Sequence, residues 1–221
     1  MSPALPNGRG KEEARKSGVK QKRNKIKGLI FVVSGPSGSG KTTLLAGLLK
    51  NRAIKKVLVK SISLATRPRR PAEKNSSDYF FTNQRQFIEK RRAKKILEWT
   101  KYLGYYYATP KDFVERQLKK GRSIILSLDL RGTLRVKKLY PGNTVTIFIA
   151  PPSLEVLRKR IEGRCHKTGK TEIRQRLGLA RRELLASGHY DYCLMNRNLR
   201  RAVRDLWEII LKEINIFNNK A

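Results

Sequence analysis

Leu29-Ile-Phe-Val-Val-Ser34 runs directly into Gly35-Pro36-Ser37-Gly38-Ser39-Gly40-Lys41-Thr42-Thr43, and a helical pattern follows from Lys41 to Lys50. An apolar strand, a turn of the form GxxxxGK[ST] and a helix, in that order, make a phosphate-binding loop. Glycines at 35, 38 and 40 let the backbone curl, so that several N–H groups and the helix N-terminus converge on a polyphosphate. Lys41 is then placed to reach the β- and γ-phosphates, and Thr42 to offer a hydroxyl to Mg²⁺.

Outward from this loop, short β-branched runs alternate with helical patterns, as a parallel sheet covered by helices requires. The predicted strands are Leu29 to Ser34, Ser123 to Asp129, Thr144 to Ala150 and Asp191 to Met195. Helices are expected at Lys41 to Lys50, Asp112 to Lys120, Thr133 to Leu139, Ser153 to Glu162, Thr171 to Leu185 and Leu199 to Ile214. Thr109, Ser153, Thr171 and Asn198 are the expected N-caps. Asp129 closes the run Ser-Ile-Ile-Leu-Ser-Leu-Asp, where a carboxylate at the sheet's carboxyl edge would share the Mg²⁺ with Thr42. Between the first helix and the Ser123 strand, Ser61 to Tyr107 is richer in Tyr, Phe and Arg and less regular, and reads as an insertion into the sheet's connection.

The 221 residues, 39% of them hydrophobic, can bury one sizeable α/β core. Lys and Arg number 51 against 17 Asp and Glu, a net +34, so polyanions are the expected partners: nucleotides, nucleic acids or acidic surfaces. Met1 to Lys27 holds nine of the cations against Glu12 and Glu13, which is +7 of the +34 and leaves +27 on the rest. With few large apolar side chains this segment reads as a disordered basic tail, and residues 28–215 as the folded domain. Cys165 and Cys193 form no metal-like cluster and suit a reducing compartment, so a cytoplasmic location is expected. No apolar run approaches the roughly 20 residues of a membrane helix.

Two clusters in the inserted stretch offer a second half to the site. One is Ser63-Leu-Ala-Thr-Arg67-Pro-Arg-Arg70 with Tyr79 soon after; the other is Leu97-Glu98-Trp99 followed by Gly104-Tyr-Tyr-Tyr107-Ala-Thr109. Later, Arg160 and Arg164 stand four apart on one helical face, and Arg176 follows a short polar loop.

From about Gly28 to Ile214 these motifs, with Asp78-Tyr79-Phe-Phe, Leu-Asp-Leu-Arg-Gly, Phe-Ile-Ala-Pro-Pro-Ser, Glu-Gly-Arg and Tyr-Asp-Tyr leading to Asn196, resemble the guanylate kinase family. The resemblance implies a P-loop nucleoside monophosphate kinase fold. Its parallel sheet would be flanked by helices and would carry an inserted mixed α/β GMP-binding region at about 61–110 and a mobile lid at about 160–176. It implies transfer of the ATP γ-phosphoryl group to GMP, or dGMP, with Mg²⁺, giving ADP and GDP. Carried over position by position, Arg67, Arg70, Tyr79 and Tyr107 would hold the GMP phosphate, and Ser63, Glu98 and Thr109 the guanine. Gly35 to Thr43 and Asn196 would hold ATP. Lys41, Arg70, Asp129, Arg160, Arg164 and Arg176 would be the catalytic set, with the lid arginines neutralising charge on the transferring group.

The chemistry agrees with the assignment. Guanidiniums clamp phosphate through charge-assisted, often bidentate bonds, and a carboxylate such as Glu98 can accept guanine N1–H and N2–H together. No general base is required, because the attacking oxygen already belongs to a phosphate. Other readings remain open: a binding module on this fold, a nucleic-acid-binding role through the basic tail and surface, and a kinase for a phosphorylated ribose. The intact loop opposes the first, and Glu98 with Ser63 opposes the last. The chain also departs from the family's pattern. The usual acid two residues before Asp129 is Ser127, and Leu64, Ala72, Tyr105, Ala108, Arg131, Cys165 and Arg197-Asn198 replace the usual residues at their positions.

Overall fold

The computed structural model describes residues 27–71, 73–163 and 169–220. At its centre is a five-stranded, all-parallel sheet in the order β2-β7-β1-β8-β9. Its strands are β1 (Ile30–Ser34), β2 (Leu58–Lys60), β7 (Ser123–Ser127), β8 (Thr144–Ala150) and β9 (Tyr192–Met195). β1 is buried along its whole length because both faces are covered, which is why it reads as an unbroken apolar run. Its alternate side chains enter different cores. Phe31 and Val33 pack with Leu44, Leu45 and Leu48 of α1 (Lys41–Leu48) and with Ala202, Leu206 and Ile210 of α8 (Leu199–Asn219). Ile30 and Val32 pack with Val114 and Leu118 of α4 (Lys111–Lys119) and Val136 of α5 (Leu130–Leu139).

β7 lies on one side of β1 and β8 on the other, so the chain changes direction across the sheet at β1. A crevice opens at the carboxyl ends of the strands there, and the glycine loop sits at its floor. α2 (Arg52–Val57), α6 (Leu154–Glu162) and α7 (Lys170–Leu185) complete the helices of this layer. Among the described residues no helix is long and apolar enough to cross a membrane.

The stretch from Ser61 to Tyr107, read from composition as less regular and expected from the resemblance as a mixed α/β insertion, is built as a second sheet with strand order β4-β3-β6-β5. Its strands are β3 (Leu64–Ala65), β4 (Phe80–Phe81), β5 (Ile96–Tyr102) and β6 (Tyr105–Pro110), and α3 (Gln84–Arg92) covers its outer face through Phe87. α3 starts in a reciprocal capping box of Asn83 and Gln86. β5 and β6 join through Leu103-Gly104, both with positive φ (48° and 85°), the geometry of a tight hairpin. Leu97 of β5 enters the core beneath β1 and so fastens this sheet to the larger one.

Several boundaries differ from expectation, each for a local reason. β7 stops at Ser127, and Asp129 instead caps α5, which starts at Leu130 because the Asp129 side chain accepts from Gly132 N. Ser153 and Asn198 cap as expected. Thr109 does not: Pro110 takes the N-cap position of α4, and the Thr109 hydroxyl is turned to Glu98. Gly169, rather than Thr171, precedes α7, without a side-chain cap.

Candidate active site

A cavity of about 1470 Å³ spans the crevice, walled on one side by the glycine loop and on the other by the smaller sheet. The loop's shape follows from its glycines. Gly35 has φ +136°, and a β carbon there would lie 2.4 Å from Ile149 O; Gly40 has φ +95°, and a β carbon would lie 2.4 Å from Asn196 Nδ2. Only glycine fits either position. Lys41 Nζ donates to Gly35 O (2.5 Å) and Pro36 O (3.0 Å), so the ammonium lies over the cradle. Thr42 and Thr43 lie in the first turn of α1 at the cavity wall. Ser39 is fully buried, its hydroxyl without a partner among the described residues.

The loop is braced from behind. Ser39 O accepts from Asn196 Nδ2 (2.9 Å) and from Arg160 Nη1 (3.5 Å), while Arg160 Nη2 donates to Asn196 O (3.4 Å). From the side, Arg176 Nη1 donates to Ser37 Oγ (3.1 Å), with Glu172 holding the guanidinium through Nε and Nη2. The Tyr102 hydroxyl of the smaller sheet also faces Ser37, and burial pushes that phenol up. Arg164, the third arginine of the expected lid, lies outside the described residues.

Across the cavity stand Ser63, Arg67, Arg70, Tyr79, Glu98 and Tyr107. The Arg67 guanidinium stacks over Tyr79 (5.0 Å to the ring centre) and Phe81 (5.4 Å), and Tyr107 packs edge-on to Tyr79. Burial opposes the Arg67 charge, but the bond to Glu73 and the charges around it more than offset this and hold its pKa above the ordinary value. Glu98 is only 5% exposed. Burial raises its carboxyl to about 7, the neighbouring Asp129 charge adds to the rise, and the 2.6 Å bond from Thr109 Oγ1 works the other way. Thr109 itself is fully buried behind Glu98 and forms no part of the cavity wall.

Asp129 joins the two halves: its Oδ1 accepts from Gly132 N (2.8 Å) and its Oδ2 from Thr100 Oγ1 of β5 (2.7 Å). A β carbon at 132 would meet Glu98 Oε2 at 2.7 Å and Asp129 Oδ1 at 3.3 Å, so Gly132 makes room for both carboxylates. Ser127 pairs with Val33 at the tip of β7, one residue short of the strand end from which the loop departs.

Sequence reasoning gave no role to Glu73, Thr100, Tyr102, Glu172 or Glu183. Glu73 stood in plain view, three residues after Arg70. Glu183 reaches the cavity from α7, where burial raises its carboxyl, Lys41 draws it back and Asp129 adds to the rise. Nothing in its local sequence marks it.

This geometry can be set beside known proteins. The sequence model of guanylate kinase matches residues 27–213. A guanylate kinase of Wolbachia pipientis wMel is 39% identical over 189 residues, covering 86% of this chain and 92% of the relative. One of Coxiella burnetii is 40% identical over 184 residues, covering 83% and 87%. The crystal structure of guanylate kinase from Anaplasma phagocytophilum superposes with a TM-score of 0.70 at 30% identity, covering 84% of this chain and 86% of that one. A match that takes in both sheets, the glycine loop and α7 leaves one assignment: the chain belongs to the guanylate kinase family.

Proposed function

We propose that this chain transfers the γ-phosphoryl group of ATP to GMP, with dGMP as a second acceptor, and releases ADP and GDP. The observation that carries the reading is the single cavity with a phosphate cradle on one wall and, on the other, an arginine–tyrosine clamp beside a buried carboxylate. Gly35 to Thr43 bind the donor phosphates, and Lys41 neutralises their charge. Asn196 and Arg160 hold the loop in shape. Arg67, Arg70, Tyr79 and Tyr107 fix the acceptor phosphate, while Ser63 and the Glu98 carboxylate select guanine, with Thr109 steering Glu98. Arg176, and Arg164 with it, gather charge around the transferring group.

Thr42 and Asp129 fit a hard cation, since both supply oxygen donors and each Asp129 oxygen keeps a lone pair beyond its one hydrogen bond. Mg²⁺ held by these two residues would offset negative charge on the donor phosphates. Nucleophilic attack needs no protein base, so the remaining work of these residues is alignment and exclusion of water. The low cysteine count supports a cytoplasmic setting. The excess of cations supports a sequence-independent contact with nucleic acid at low salt.

The deciding experiment is ADP release with ATP, Mg²⁺ and each of GMP, dGMP, AMP, CMP and UMP, with Lys41→Ala as the blank. GMP-dependent turnover that falls by about a thousandfold or more in the variant is expected. A folded, ATP-binding protein that no monophosphate stimulates would overturn the reading.

A further inference from the structure

Arg67 is 8% exposed, and its guanidinium has five N–H groups to place. Glu73 takes two of them end-on: Nη1 donates to Oε2 and Nη2 to Oε1, each at 2.6 Å. The second Nη1 hydrogen goes to Pro68 O at 2.9 Å. The Nε–H and the second Nη2–H are parallel donors along the other edge of the planar group, and the Tyr107 hydroxyl is a further hydrogen-bonding neighbour of this guanidinium. Such an edge matches two oxygens of a phosphate.

Glu73 is itself fixed. Its Oε2 also accepts from Arg70 N (3.0 Å), its own N–H returns to Arg70 O (3.0 Å), and Arg70 Nη1 stands 3.7 Å from Oε1. Arg69 Nη1 reaches Glu73 O at 3.2 Å. The Glu73 carboxylate therefore ties Arg67 to Arg70, its main-chain oxygen adds Arg69, and the tie engages the Nη1–Nη2 end of Arg67 rather than its Nε–Nη2 edge. A side chain that merely filled the phosphate's place would not be bound to the loop's own backbone in this way.

We propose that Glu73 is the positioning residue of the acceptor clamp: it holds the Nη1–Nη2 edge of Arg67 and the backbone of Arg70 so that the Nε–Nη2 edge of Arg67 faces the acceptor's phosphate. The inference rests on the guanylate kinase reading and deepens it. Glu73 also offsets one of the charges crowded at this corner, which keeps Arg67 and Arg70 close together before any phosphate arrives.

The test uses the full chain. Glu73→Gln keeps shape and one acceptor but removes the charge. KM for GMP should rise about tenfold, kcat should stay within about twofold, and the dissociation constants of ATP and of guanosine, which lacks the phosphate, should not change. Glu73→Asp should give a smaller rise of the same kind. In an Arg67→Ala background the sign reverses, because the carboxylate, left with Arg70 alone, is less fully neutralised and repels the phosphate, and adding Glu73→Gln should recover part of the GMP affinity.

An unchanged or lowered KM for GMP in Glu73→Gln overturns the proposal, and so does equal loss of guanosine and GMP binding, which would mark general loosening of the loop. Wild-type protein without GMP-dependent turnover overturns the guanylate kinase reading and this inference with it. Normal wild-type turnover with a flat Glu73→Gln result overturns the inference alone.

Discussion

Glu98 shows how a single side chain carries opposing demands. Burial and the neighbouring Asp129 charge raise its carboxyl to about 7, so below that pH the folded protein with an empty site prefers it protonated. A folded-state pKa above the unfolded value gives stability that is fully present below about pH 4.5 and is lost as pH rises through about 7. The span corresponds to a loss on the order of 3 kcal/mol. Glu98→Gln stays neutral, so its unfolding free energy should overtake that of the wild type progressively between pH 5 and pH 8. Parallel denaturant titrations measure this, and a gap that stays constant with pH would show that Glu98 is ionised without strain. The same variant should lose about a hundredfold in GMP affinity, because guanine's adjacent donors then meet an amide. Stability and recognition thus pull one residue in opposite directions.

The elements differ in how openly the sequence declares them, and the reason is burial. β1, β7 and β8 were legible because helices or neighbouring structure cover both faces, so apolar and β-branched residues dominate each run. β3 and β4, two residues each, carry no periodicity to read, and the β5–β6 hairpin turns on Leu103-Gly104 rather than an Asn-Gly pair. α2 and β2 went unseen for the same want of length. Of the site, the glycine loop was legible as a local pattern and the acceptor residues as two clusters in the inserted stretch, with the role of each given only by family resemblance. The ties among them cross long stretches of chain and leave no local trace: Thr100 with Asp129 spans 29 positions, and Asn196 with Ser39 spans 157.

That last contact makes the loop's shape a property of β9's exit as well as of its own glycines. Asn196→Ala should therefore weaken ATP binding by about tenfold and leave GMP binding alone. Calorimetric titration of each nucleotide checks this, and equal losses for both would argue against a local brace.

At the scale of the whole molecule the surplus of +34 sets the field in which every anionic ligand arrives. Salt screens that field, with a Debye length near 10 Å at about 0.1 M. Between about 50 and 500 mM salt, kcat/KM for both nucleotides should fall severalfold while kcat holds, and retention on random-sequence DNA should drop with a steep log–log slope. Salt-independent kcat/KM would show that the cations near the crevice do not steer substrate.

The buried acid at the base end has a further effect over a full turnover. Near neutral pH the raised carboxyl of Glu98 holds a fraction of a proton in the empty pocket, whereas a guanine seated there as proposed would require the bare carboxylate. Capture of the base on that reading would discharge a fraction of a proton to the solvent, and departure of the product would take it back. The heat of nucleotide binding will then vary with the ionisation enthalpy of the buffer, and the acceptor pocket will exchange protons with its surroundings in every cycle.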